Sequence, residues 1–161
     1  MSPARPPEGA HTGVQSTEVS QMLLELIPVP RARAYPPRIS AFTQPFWEGL
    51  AHGQWQSTCC EACGKFTFPP KKVCPHCWSN KMAWKPLTAK GTLYSWTRIH
   101  AAPKVFESEA PYAVCVVDLD IGLRIATRLV EREGKEFQCG MPVEVVVLKY
   151  EDGPLIGIRP V

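Results

Sequence analysis

The chain has 161 residues, 45% of them hydrophobic and 20% charged, with a formal charge of +3 at pH 7. That length suits one ordinary domain or two very small ones. No run approaches the ~20 apolar residues of a membrane-spanning helix, and the charge is too small to imply nucleic acid by itself. Seven cysteines and seventeen prolines are both high for this length. The opening Met1-Ser2-Pro3-Ala4-Arg5-Pro6-Pro7-Glu8 has no apolar core and so does not read as a secretory signal. A cytoplasmic, reducing setting is therefore expected, where metal binding is favoured over disulfides, and the odd number of cysteines agrees.

In chain order, residues 1–40 read as an extended arm. Pro3, Pro6, Pro7, Pro28, Pro30, Pro36 and Pro37 lie there among glycines and polar residues, a composition that builds no core of its own. Val19, Met22, Leu23 and Leu26 follow i, i+3, i+4, i+7 spacing, which predicts a short amphipathic helix stopped by Pro28. So short a helix needs a surface to dock on. Residues 41–88 read as a helix plus a ribbon. The helix is expected over Pro45–Ala51, with proline in its first turn and Gly53 ending it. Phe42, Phe46, Trp47 and Leu50 would cover the body that follows, with Phe46 and Trp47 also candidates for partner contact.

Within the ribbon, Cys60-Glu61-Ala62-Cys63, with Gly64 directly behind it, is separated by ten residues from Cys74-Pro75-His76-Cys77. A two-residue gap lets both thiolates of a knuckle face one ion, and two knuckles supply four soft ligands in the tetrahedral array that structural Zn(II) prefers. Cys60, Cys63, Cys74 and Cys77 are thus the expected metal ligands. Cys59 should point away from the metal, and His76 should be exposed rather than a ligand. Four thiolates leave no open coordination position, so the ion is structural. A rubredoxin-type iron site uses the same ligands and is the alternative. Four thiolates and one divalent ion add −2 to the chain, which removes most of its positive charge. Lys65–Phe68 is expected as a ribbon strand, ended by Pro69-Pro70.

Residues 89–161 change to strand pattern. Gly91–His100, Tyr112–Leu119, Leu123–Val130, Val143–Tyr150 and Leu155–Val161 are rich in β-branched and aromatic residues. Turns fall at Asp120-Ile121-Gly122 and Asp152-Gly153-Pro154. Five short strands with little helix between them suit an OB-fold barrel, with an SH3-like barrel or small sandwich fitting the same pattern. The whole is expected to be mainly β: arm with short helices, four-cysteine rubredoxin-like zinc ribbon, then five-stranded barrel.

A self-sufficient active site does not emerge from these residues. Cys115 sits among apolar neighbours that disfavour a thiolate, and Cys139 stands at a turn without a basic neighbour. His100 and Tyr112 remain as candidates for a surface facing a ligand channel or partner, and no residue is assigned a catalytic role. Single-stranded nucleic-acid binding, a use of both ribbons and OB-folds, asks for a basic groove. Residues 91–161 instead carry eight Lys and Arg against ten Asp and Glu.

The ordered blocks Pro45-Phe46-Trp47, Cys60 to Cys77, Gly91 to His100, Ala110-Pro111-Tyr112, Val117-Asp118 and Gly140-Met141-Pro142-Val143 resemble the zinc-ribbon/OB-fold proteins that accompany thiolases. The resemblance covers residues 35 to 161. It implies a small, non-catalytic zinc subunit that bridges thiolase-like and synthase-like partners acting on acyl groups, with zinc carried by Cys60, Cys63, Cys74 and Cys77. Tyr35-Pro-Pro-Arg38, His100-Ala-Ala-Pro103, Leu123 to Arg128 and Tyr150 to Pro154 are further similar to the small subunits of bacterial acetylphloroglucinol acetyltransferases. That likeness implies C-acylation, acetyl transfer onto phloroglucinol-type aromatics, in secondary metabolism. An accessory subunit of an acyl-CoA thiolase, synthase or aldolase is the other reading within the family.

Overall fold

The computed structural model describes residues 23–161, and they form two sheets. Five strands make the larger body: β5 (Lys90–Ile99), β6 (Tyr112–Leu119), β7 (Arg124–Leu129), β8 (Pro142–Tyr150) and β9 (Gly153–Pro160). β5, β6 and β7 run as an antiparallel meander, β7 pairs in parallel with β9, β9 pairs with β8, and β8 returns to β5. The circuit closes, which removes every edge within the barrel. This is the OB-fold order, and the five expected strands fall where their patterns placed them.

Period-2 burial explains the closure. Along β6 every second residue is buried, so Ala113, Cys115, Val117 and Leu119 point inward. They meet Leu93, Ile125, Leu129, Val143, Val145, Val147 and Ile158 in one apolar core. Gly91 is required where β5 passes between β6 and β8: a Cβ there would lie 2.5 Å from the carbonyl oxygen of Asp118.

The smaller sheet is the ribbon, β3 (Phe66–Thr67), β2 (Gln56–Cys60) and β4 (Met82–Pro86), with β2 in the centre. Ahead of it stands the helix α1 (Gln44–Ala51), which has proline in its first turn and ends at Gly53 with φ +79°. Phe46 and Leu50 enter the core with Trp55 and Leu87, while α1 lies against β2, β8 and β9. An aromatic cluster joins helix to ribbon: Phe46 is 4.9 Å from Trp47 and 5.9 Å from Phe68, ring centre to ring centre, and Trp55 is 5.4 Å from Phe68.

The arm differs from expectation. Val19 and Met22 lie outside the described residues, but Leu26–Val29 form a strand, β1, rather than the end of a helix. It pairs in parallel with Val147–Tyr150 of β8. Pro28 is tolerated because β1 is an outer strand. Side-chain links then hold the arm to the barrel. Arg159 donates to both oxygens of Glu25 at 2.7 and 2.6 Å, and Arg33 lies on the β8–β9 turn, bonding Asp152 through its backbone N–H at 2.8 Å and its Nε at 3.2 Å. Among the described residues no helix is long and apolar enough to cross a membrane.

Candidate metal centre and the adjoining surface

The two knuckles share one backbone plan. In the first, the amide of Cys60 donates to Lys65 O and that of Gly64 to Cys60 O. In the second, Cys74 donates to Ser79 O and Trp78 to Cys74 O. Each loop thus folds back on its first cysteine, and both pairs of thiols are thrown to one side. Ligand atoms of Cys60, Cys63, Cys74 and Cys77 all lie within 4.8 Å of one another, with Cys60 Sγ 3.5 Å from Cys77 Sγ and Cys63 Sγ 3.6 Å from Cys74 Sγ. A tetrahedron with Zn–S bonds of about 2.3 Å has edges of about 3.8 Å. The four cysteines therefore fit a structural zinc ion, and the expected ligand set comes together without a gap.

Electrostatics within the cluster point the same way. Burial opposes ionisation of Cys60, but the backbone N–H groups of Cys63 and Ala62 and the thiols of Cys77 and Cys63 outweigh it and hold the group at about 6. The Cys77 thiol receives help from the Ser79 amide, yet its sulfur neighbours, Cys60 first, push it up to about 12. Cys63 is also raised: its bond from Lys65 is outweighed by burial and by the thiols of Cys74 and Cys60. Negative charge on one sulfur suppresses it on the next, and a divalent cation relieves that conflict. Cys59 turns away, its thiol donating to Gly64 O at 3.4 Å. His76 is exposed. Both match expectation.

One feature of the centre was not read from sequence. The residue after each knuckle occupies the left-handed region, Gly64 at φ +70° and Trp78 at φ +61°. Glycine adopts this conformation freely, whereas a bulky residue is disfavoured there by roughly 1–2 kcal/mol. The sequence signal was available, since C-x2-C-G in the first knuckle is C-x2-C-W in the second.

The other candidates are dispersed. Phe46 is 3% exposed and packs in the core, reaching the surface only as part of a cavity wall. Trp47 is half-buried and lines a cavity of about 520 Å³ with Tyr35, Arg38, Phe68, Phe106 and Tyr150. This cavity lies where arm, helix, ribbon and barrel meet. His100 is exposed just beyond β5 and is not among the residues lining that cavity. Tyr112 is half-buried at the start of β6, with the Arg128 guanidinium 3.7 Å from its ring centre. Arg128 also pairs with Glu109, whose side chain is almost wholly buried. Glu109 closes a 3-10 turn (Lys104–Glu109). Burial pushes the Cys115 thiol up to about 11, outweighing a backbone hydrogen bond at Thr127 that lowers it, as expected of a core thiol.

The family model of the ChsH2 rubredoxin-like zinc ribbon domain matches residues 47–83, and that of the ChsH2 C-terminal OB-fold domain matches residues 84–148. Over 97 residues the chain is 36% identical to a DUF35 domain-containing scaffold protein of Methanocaldococcus jannaschii, covering 58% of this chain and 68% of that one. The chain belongs to the ChsH2/DUF35 family. The chain is also similar to the benzoylsuccinyl-CoA thiolase subunit BbsA of Thauera aromatica, 32% identical over 104 residues, covering 62% of this chain and 70% of that one. Among solved structures, the Ltp2-ChsH2(DUF35) aldolase superposes with a TM-score of 0.66 at 30% identity, covering 78% of this chain and 98% of that one. The ChsH2/DUF35 ribbon accounts for all four metal ligands, and the OB-fold match spans β5 to most of β8.

Proposed function

We propose that this chain is a non-catalytic zinc subunit that bridges thiolase-like and synthase-like partners in an acyltransferase complex of the cytoplasm. The observation that carries the reading is the naming of its relatives: one is a scaffold protein, one a thiolase subunit, and one part of an aldolase. The site chemistry supports it. A four-thiolate centre closes the coordination sphere, so its zinc serves to hold two loops rather than to activate a substrate. Cys115 is held protonated in the core and is no nucleophile. The finer reading is C-acylation, with acetyl moved onto phloroglucinol-type aromatics. The cavity lined by Trp47, Phe68, Phe106 and Tyr150 supports it, since aromatic faces can stack on a flat ring while Arg38 and Arg128 in the same lining offer donors to phenolic oxygens.

The test is co-expression of the full chain with the thiolase-like and synthase-like proteins of the same genome. A stable assembly that exchanges acetyl groups between phloroglucinol and its acetylated forms, and loses that exchange when this chain is omitted, bears the proposal out. Exchange at the same rate without the chain refutes it. The names of the thiolase subunit and the aldolase favour a second reading, an accessory subunit acting on acyl-CoA. It predicts that the assembly cleaves a β-ketoacyl-CoA or β-hydroxyacyl-CoA and leaves acetylated phloroglucinols untouched.

A further inference from the structure

Trp78 stands in a position that the chain's own folding does not favour. Its knuckle repeats the hydrogen bonds of the first, where the equivalent residue is Gly64, and both residues have positive φ. The strain is not offset by packing, because Trp78 is 82% exposed, more than any other large hydrophobic residue among those described. A backbone strained to display a large apolar side chain in water is an outlier that points to function. Val73, immediately before the same knuckle, is 44% exposed. The ribbon sequence to either side is one-signed: from Ala62 to Lys90 it has six lysines and no acidic residue. Lys65, Lys71, Lys72, Lys81 and Lys85 are all exposed, and they outnumber Glu61 and the −2 of a filled four-thiolate centre.

We infer that the second zinc knuckle is a docking point, with Trp78 as its anchor, for an acid-rimmed apolar pocket on the thiolase-like partner. This rests on the function proposed above and locates where the contact is made. An exposed aromatic ringed by polar side chains is the anatomy of a binding hot spot: the ring enters a pocket, and the rim excludes water and sets orientation. Lysines around it select an acidic face and steer approach. The metal fixes the loop and so presents the indole in advance of binding. A single-stranded nucleic acid would also accept lysines and a stacking ring, but the acidic excess of the barrel, eight basic against ten acidic residues over 91–161, disfavours a polyanion along the molecule.

The experiment compares full-length wild type with Trp78→Gly and Trp78→Asn, two residues that tolerate the left-handed backbone. Each is loaded with zinc and titrated against the purified thiolase-like protein of the same genome. Unchanged zinc content, an equal or higher thermal midpoint for Trp78→Gly, and at least about 30-fold weaker association of both variants are expected. Wild-type association should also weaken as salt rises from about 0.05 to 0.5 M. Equal binding by wild type and both variants overturns the docking role. Loss of zinc from both variants overturns it as well, since Trp78 would then serve the centre and not a partner. Quenching of wild-type but not Trp78→Gly fluorescence by a single-stranded oligonucleotide, without effect of the variants on the protein partner, assigns the knuckle to nucleic acid and overturns the inference. Failure of the wild type to bind the thiolase-like protein refutes the proposed function itself and is thereby told apart from failure of the knuckle alone.

Discussion

Zinc loading should release protons, and the number follows from the thiol cluster. In the metal-free knuckles Cys60 is held near 6, so at about pH 7.5 it is already a thiolate. Cys77 is pushed up to about 12 and Cys63 is raised, so both still carry protons at that pH. All four ligands must be thiolates in the complex, and at least two protons are therefore displaced per ion. The sign is fixed by mass action: groups that must lose a proton to bind make affinity rise with pH. Two protons correspond to about 100-fold tighter binding per pH unit between about 6.5 and 7.5. Below about 6 Cys60 also takes up a proton, and the dependence steepens. Competition against a chromophoric zinc chelator, corrected for that chelator's own protonation, measures the slope. Less than a tenfold change across that unit would mean that at most one proton is displaced and would refute the cluster as described.

Replacing Gly91 by alanine should destabilise the barrel by about 3 kcal/mol, because the new Cβ meets backbone atoms 2.5 to 3.1 Å away that no rotamer change can move; a urea titration of the zinc-loaded chain reads it. Glu109→Ala strands the partly buried Arg128 charge over Tyr112 and should cost about 3 kcal/mol by the same assay, whereas a shift below about 0.5 kcal/mol would mean that water replaces the carboxylate. Dithionitrobenzoate at about pH 8 should label one thiol of the zinc-loaded chain rapidly, the exposed Cys139, while Cys115, with its thiol pushed up to about 11, and the buried Cys59 stay silent. Asp152 is held below the usual carboxylate range by the Arg33 amide first and the Arg33 guanidinium beside it. The contact it makes is therefore present above that range and lost as pH falls through the lowered value, so the protection of the Arg33 amide, its exchange rate relative to an unstructured chain at the same pH, should fall only in strong acid.

The parts of this molecule legible in sequence are those whose information is local. β6 alternates apolar and polar side chains over eight residues, and the pattern alone placed its strand. The two-residue gaps in the cysteine pairs likewise announced their knuckles, since the chain between them is too short for the sulfurs to part. β1 departs from its local pattern for the opposite reason. Leu23 and Leu26 continue a helical spacing, but their segment pairs with Val147–Tyr150, more than a hundred residues away, and that pairing overrode local periodicity. Phe46 and Trp47 are adjacent and line the same cavity, yet one is fully buried in the core and the other is half-buried. Only the direction of α1 against β8 and β9 separates them.

By itself, the sequence determined the ligand set of the metal, the barrel strands and the family. Each is written in contiguous residues whose chemistry or period is sufficient. Tertiary structure decided what lies between those blocks: the parallel strand that closes β7 onto β9, the arm fastened by Arg33 and Arg159, the cavity at the meeting of four elements, and the Glu109–Arg128–Tyr112 assembly. It also separated two knuckles with the same spacing. One turns on a glycine, and the other holds a tryptophan out to solvent in the same backbone conformation. Residue order determines which side chains can bind a metal, whereas exposure and backbone angle are properties of the folded chain.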